Sequence, residues 1–363
     1  MILDTCALFF NRLSKHRVTR PLAKPLYHFV YDFIASIYKL RMKHHIKHVH
    51  GLQKLDSSKE KVVACCLVRD GEEYIEAFLD HYFELGVEHI FLIDNGSTDK
   101  TIDLAKKDKR VSIYQTNLKF KVYKNILKRY MVEHFSNGGW VLCVDIDEFY
   151  DFPYSRKISL NSLIAYLNSH SYTAVAAYLL DMIPNDKNML STSRDSNFNR
   201  SDYEYYDLSE IDAGEYGKYI TMINNKINND AIKSYSGGIR KKLFNAKPKL
   251  LKHPLLYYDK KMEPFYGAHG IANANVADIS CVLYHYQLTS NFLEKIDRAV
   301  KEENYYCNSK EYKAYKKGYE EGKVEELDVN SFKQLNSIDD LLNNRFLQVT
   351  SDFKDWVSSN CRD

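Results

Sequence analysis

The apolar run Trp140-Val-Leu-Cys-Val144 leads straight into Asp145-Ile-Asp147 and Glu148. Two carboxylates one residue apart at a strand end can both reach one hard cation, directly or through water, which suits Mg2+ or Mn2+. A cation so held can bridge diphosphate oxygens and act as a Lewis acid on a departing phosphate. Alone, an Asp-x-Asp triplet also serves as a turn or helix cap, so its weight depends on its surroundings. Other polar groups follow apolar runs in the same way, namely Arg69-Asp70, Asp94-Asn95 and Asp181. In a parallel α/β sheet, ligands gather at the carboxyl ends of the strands, and all four clusters would share that edge.

The elements that must position these groups alternate between short apolar runs and amphipathic stretches of helical length, the pattern of a largely parallel sheet flanked by helices. Strands are expected at 61–68, 88–93, 110–114 and 140–144, with helices at 72–85 and 119–135 and a helix between the second and third strands. That intervening helix has Ser97, Thr98 or Asp99 as its expected N-cap. A further helix is expected at 159–168 and a strand at 173–180 ending at Asp181; 184–235, rich in Asn, Asp, Ser and Tyr, reads as an irregular insertion. Order returns at 237–244, 252–256 and 279–286, and the tail from 290 onward is charged and helical. The expected division is a basic arm at 1–58, an α/β domain at 59–290 and a helical extension at 291–363.

The chain is long enough, at 363 residues and 45% hydrophobic, to bury a large core. Its net charge of +3 is uneven: residues 1–56 carry ten Lys/Arg against three acidic residues. Within that arm Leu26, Phe29, Val30, Phe33, Ile34, Ile37 and Leu40 recur at helical spacing between basic clusters. Such a helix either lies on an anionic membrane surface or packs on the main domain or a partner. With the basic charge confined to one arm and no recognition motif, nucleic acid is not an expected partner. No run reaches the roughly 20 apolar residues a membrane span needs, and the first residues do not read as a signal peptide, so a cytoplasmic location is expected. Seven cysteines without a CxxC pair imply a reducing compartment and no structural zinc.

Three ordered stretches carry a resemblance: 63–82, beginning Val-Ala-Cys-Cys-Leu-Val-Arg-Asp-Gly-Glu-Glu-Tyr; 85–101, containing Ile-Asp-Asn-Gly-Ser-Thr-Asp; and Asp145-Ile-Asp-Glu-Phe149. Together they resemble glycosyltransferases of family 2 type with the GT-A fold, more narrowly the branch related to family 92. The likeness is strongest over 60–150 and continues loosely through Gly237-Gly-Ile-Arg240, Lys252-His-Pro-Leu255 and Leu283-Tyr-His-Tyr286. It implies an enzyme that moves a sugar from a nucleoside-diphosphate sugar to a carbohydrate or glycolipid acceptor with Mn2+ or Mg2+. Inversion at the sugar carbon, a role in surface polysaccharide or lipopolysaccharide synthesis, and a place in the cytoplasm or peripherally on the inner face of the membrane are the accompanying expectations.

By that resemblance Arg69 and Asp94 line the nucleotide site, Asp145 reaches the ribose or the metal's water shell, and Asp147 ligates the metal. A late histidine often completes the ligand set, for which His285 and, alternatively, His269 are candidates. Gly237-Gly238 would let the backbone approach donor or acceptor, and Arg240 or Lys252 would face the diphosphate. The family's usual Glu-Asp base is missing; Asp181 is the first candidate for it, with Glu263 and Asp207 behind. Paired tyrosines such as Tyr205-Tyr206, Tyr257-Tyr258 and Tyr305-Tyr306 offer faces for sugar stacking, or simply reflect composition. Two other enzyme readings fit less well. A haloacid-dehalogenase-like phosphatase expects Thr or Ser where Phe149 stands and places its motif at the first strand; a dinucleotide oxidoreductase expects a GxGxxG that is absent. A non-catalytic carbohydrate-binding protein on the same fold is the remaining alternative.

Overall fold

The computed structural model describes residues 20–42, 44–55, 58–136, 138–190, 198–217, 221–266, 269–303 and 306–361, without the side chains of 20–25, 28 and 306–308. After helix α1 (Arg20–Met42) and strand β1 (Lys47–His50) come β2 (Val62–Val68), α2 (Ile75–Leu85), β3 (His89–Asp94), α3 (Thr101–Ala105), β4 (Val111–Gln115), α4 (Phe120–Phe135) and β5 (Trp140–Val144). Strands β2, β3 and β5 are buried along their whole length, which is why each reads as an unbroken apolar run rather than an alternation. α2 ends at Gly86, whose φ of 106° supplies the left-handed cap that a side chain would resist.

The chain continues through β6 (Glu148–Asp151), α5 (Leu160–Ser169), β7 (Ala174–Asp181), β8 (Tyr205–Tyr206), β9 (Ile211–Glu215), β10 (Lys226–Ile227), β11 (Lys233–Gly237), α6 (Ile239–Phe244), β12 (Leu251–Tyr257), β13 (Glu263–Pro264), β14 (Ile271–Ala272) and β15 (Asn275–His285). A ten-stranded sheet runs in the order β1-β4-β3-β2-β5-β12-β7-β15-β10, with β6 paired to β15 off this path. β4, β3, β2 and β5 are mutually parallel, as are β7, β15 and β10. β12 is inserted antiparallel between β5 and β7, and its register slips between Lys252 and Leu255, where Pro254 has no N–H to give the ladder. The architecture is thus α/β with a largely parallel central sheet and flanking helices.

The N-cap expectation is met at Asp99, whose Oδ1 accepts from Thr101 N at 3.0 Å at the start of α3, while Lys100 makes no side-chain cap. The loop also interlocks with the one after β2: Asp70 N donates to Ser97 Oγ (2.9 Å), Thr98 N to Asp70 Oδ1 (2.8 Å) and Glu72 N to Asp99 Oδ2 (2.9 Å). Two expectations are corrected. The stretch 184–235 is not irregular throughout, since β9 and β11 form an antiparallel pair from Ile211 to Gly237; residues 191–197 and 218–220 within it lie outside the described residues. Nor do the arm and the tail pack as separate bodies. Tyr27, Tyr31 and Met42 of α1 and Phe353 and Val357 of α10 (Ser351–Ser359) join the main core. A second cluster joins Ile183, Leu243 and Phe244 to Phe292 and Ile296 of α7 (Phe292–Glu302) and Tyr315 of α8 (Tyr306–Glu320); α9 (Ile338–Asn343) adds Ile338 and Leu341 to the first.

Cys65, Cys66, Cys143 and Cys281 are buried free thiols and Cys361 an exposed one; Cys6 and the Cys307 side chain lie outside the described residues. No helix among the described residues is long and apolar enough to cross a membrane.

Candidate metal and anion site

Counting from β2, the chain first builds the sheet outward through β3 and β4, then returns to place β5 on the other side of β2. That reversal opens a crevice at the carboxyl ends of β2 and β5, where α/β sheets bind ligands. Arg69-Asp70 and Asp145-Ile-Asp147 flank it.

Asp145 lies between two ammonium groups. Lys128 of α4 donates to Oδ1, and Lys252 of β12 donates to Oδ2 at 2.9 Å while also contacting Glu148 Oε1. Glu148 Oε2 in turn accepts from the Asp145 N–H at 3.2 Å. Burial alone would raise the Asp145 carboxyl, but the two lysines outweigh it and hold it well below the usual carboxylate range. Burial works against the charged forms of Lys128 and Lys252 too, yet Asp145 leaves both raised, so all three groups stay ionised near neutral pH.

Asp147 is held separately, by Lys295 of α7 at 2.8 Å. Burial opposes its ionisation, and Lys295 followed by His285 overcomes it, lowering the carboxyl. Two ladders then bring His285 into place: β15 pairs His285 with Asp181 on β7 and with Glu148 on β6. His285 Nδ1 lies 2.6 Å from Asp181 Oδ1, and Arg240 Nε donates to Asp181 Oδ2 at 2.8 Å. A carboxylate only accepts, so Nδ1 carries a proton, which leaves Nε2, 3.9 Å from Asp147 Oδ2, as the ring nitrogen a metal would take. Asp147, Glu148 and His285 place one ligand atom each within 4.8 Å of one another. Two carboxylates and an imidazole whose other nitrogen is held by a carboxylate suit a divalent cation of the Mn2+ type, with Asp181 as the outer support.

Of the expected metal set Asp145, Asp147 and His285, the last two come together with Glu148, while Asp145 is engaged by the two lysines. His269 is elsewhere, half-buried beside Lys252 and Lys128; burial, then Lys252, Lys249 and Lys128, lower its pKa, and it is not among the residues whose ligand atoms gather with Asp147. Asp181 is a correction as well. Both its oxygens are engaged and its side chain is 4% exposed, so it positions His285 instead of receiving an acceptor's proton. Glu263 pairs with Arg129 at 3.3 Å, next to α1, and Asp207 with Lys242 at 2.7 Å, so neither joins the cluster.

Arg240 faces Asp181 and, at 3.2 Å, Glu311 rather than the crevice. Gly237 and Gly238 are likewise structural: a Cβ on Gly237 would stand 2.5 Å from the Glu210 carbonyl, and Gly238 N donates to that same oxygen. Asp94 does lie at the end of β3, buried, accepting from Ser97 N at 2.9 Å and Gln115 Nε2 at 3.1 Å. Arg69 is half-exposed at the end of β2 and meets Glu302 at 3.4 Å. α7 thus lays Lys295, Arg298 and Glu302 over the strand ends, Arg298 reaching Asp70 at 3.0 Å. Their spacing of three and four residues places them on one helix face, but the sequence does not mark what that face meets. Tyr257 lies beside Trp140 at 5.7 Å between ring centroids, away from the carboxylates; the Tyr305-Tyr306 pair lies outside the described side chains.

No protein-family model matches the chain, and no curated protein matches it.

Proposed function

We propose that this chain is a metal-assisted glycosyltransferase of GT-A type, moving a sugar from a nucleoside-diphosphate sugar to a carbohydrate or glycolipid acceptor. The observation that carries the reading is the convergence on one strand-end crevice of the Asp145-Ile-Asp147 pair with three lysines drawn from α4, β12 and α7. A diphosphate needs cations, and a crevice at the reversal point of a parallel sheet is where such a ligand sits.

Asp147, Glu148 and His285 would hold the cation, Mn2+ in preference to Mg2+ because one ligand is an imidazole. Once bound, the cation neutralises charge on the departing diphosphate. Lys128, Lys252 and Lys295 add positive charge in a largely buried setting where it counts for more than in water. Asp145 keeps Lys128 and Lys252 charged and aimed. Asp181 fixes the tautomer and direction of His285, and Arg240 keeps Asp181 ionised. Arg69 and Asp94, at the neighbouring strand ends, take the nucleoside. In the reaction the bond between the sugar's anomeric carbon and the phosphate oxygen breaks, its electrons staying on the phosphate, while the acceptor oxygen bonds that carbon and gives up its proton to water.

Titration of UDP, GDP and CMP into the protein with and without Mn2+ tests this. One nucleotide should bind, more tightly with Mn2+, and Asp147→Ala should remove the Mn2+ enhancement. Failure of all three to bind, or binding indifferent to both Mn2+ and Asp147, would sink the reading.

A further inference from the structure

Among the described residues eight large apolar side chains are exposed, and seven of them fall between 26 and 52: Leu26, Phe29, Phe33, Ile37, Leu40, Val49 and Leu52. The first five lie on α1. At roughly 100° per residue they occupy an arc about 80° wide. Tyr27, Tyr31, Ala35 and Met42, which are buried, occupy the opposite arc. The helix is therefore anchored by one face and offers a continuous apolar stripe on the other, with Phe29 72%, Phe33 64% and Leu40 69% exposed.

The anchored face is firmly tied. Tyr31 Oη donates to the Phe265 carbonyl at 2.7 Å, and Lys39 pairs with Glu133 on α4. The sequence that carries the stripe is basic: residues 20–54 hold seven Lys/Arg and one acidic residue. That acid, Asp32, is turned to Arg129 at 3.8 Å, whereas Arg41, His44, His45 and Lys47 are exposed where the helix ends.

We propose that α1 is a docking surface for an anionic lipid bilayer, lying in the plane of the interface with Phe29, Phe33, Ile37 and Leu40 among the acyl chains and its basic end among the headgroups. The charge selects this occupant. A second copy would bring two stretches of the same positive charge together, while an anionic bilayer meets both the apolar stripe and its basic border. Because α1 packs on α4, which carries Lys128 to Asp145, docking would hold the candidate site close to the membrane surface. Membrane docking of this kind stands apart from the transferase reading, since its test measures partitioning and not turnover.

The full chain is sedimented with phosphatidylcholine vesicles, with and without about one third phosphatidylglycerol. It should partition onto the anionic vesicles only, and added salt should weaken the binding. Phe29→Glu/Phe33→Glu should lose at least about tenfold in partitioning with its thermal midpoint unchanged, while Leu293→Glu, off the stripe, should bind as wild type. Phe33→Trp should blue-shift its emission on anionic vesicles. Equal binding by the double variant, or no binding by the wild type, would overturn the proposal. So would a dimer abolished by the double variant without any vesicle binding, which would assign the stripe to a second copy. A fall in thermal midpoint without vesicle binding would assign it to the chain's own residues 1–19 and would likewise overturn the proposal.

Discussion

Replacing Asp181 by Asn tests the support behind the metal ligands. The carboxylate uses one oxygen for His285 Nδ1–H at 2.6 Å and the other for Arg240 Nε at 2.8 Å. An amide of the same shape has one acceptor and one donor, so one neighbour must face an N–H with its own N–H. The Arg240 side chain is 6% exposed, and Glu311 would be its only remaining carboxylate in the cluster. Losing a charged partner in so buried a setting costs on the order of 3 kcal/mol of folding stability. Loosening the carboxylate behind a metal-ligating histidine typically lowers metal affinity about 10- to 100-fold, or roughly 1.4–2.8 kcal/mol. Two measurements separate these effects: the urea midpoint, and Mn2+ affinity from the paramagnetic resonance signal of the free ion under conditions where the variant is fully folded. Arg240→Met supplies the control, since it should cost similar stability yet leave the Asp181–His285 hydrogen bond, and with it most of the Mn2+ affinity, in place. The supporting role of Asp181 is refuted if folded Asp181→Asn binds Mn2+ as wild type does, or if both variants lose affinity alike.

Lys252→Met should weaken nucleoside-diphosphate binding by roughly tenfold to a hundredfold, the worth of a charge-assisted hydrogen bond, while a nucleoside without phosphates binds unchanged; calorimetry with both ligands reads the difference. His81 should make stability depend on pH. Its Nε2–H faces the Tyr150 carbonyl at 2.8 Å and its Nδ1 accepts from Arg200 at 2.9 Å, and burial, then Arg200, push it down to about 3. A folded value below the unfolded one means the contribution is complete above pH ~6.5 and is lost as pH falls towards the folded value. Between about pH 6.5 and 5 that loss amounts to roughly 2 kcal/mol. Urea midpoints across this range should fall for wild type and fall less for His81→Asn, and parallel curves would contradict the assignment.

The framework is legible in the sequence where one physical signal dominates. β2, β3 and β5 are buried on both faces, so their apolar runs stand out, and the pattern alone puts the acidic groups at their ends on one edge. What the sequence hides depends on distant partners. Lys128 sits mid-helix and Lys295 some 148 residues from Asp147, and nothing local marks either as facing a carboxylate. Glu148 is adjacent to the motif, yet its closeness to His285 depends on the β6–β15 register. Asp181 stands at a strand end as a base would, and only the arrival of Arg240 and His285 shows that both its oxygens are taken. In α1 the helical spacing is visible, but the face is not: Tyr27 and Tyr31 go inward, their rings packing on Tyr266 and the Tyr31 hydroxyl reaching the Phe265 carbonyl, and the plain hydrocarbon stripe remains outside. Between 184 and 235 the strands are too short to give a period.

The most direct test of the transferase assignment is turnover on a panel of UDP-, GDP- and CMP-sugars with and without Mn2+. The expected result is Mn2+-dependent release of the nucleotide from one donor class, abolished in Asp147→Ala and unaffected by a phosphomonoester competitor. Hydrolysis of simple phosphomonoesters with no activity on any sugar nucleotide would contradict it.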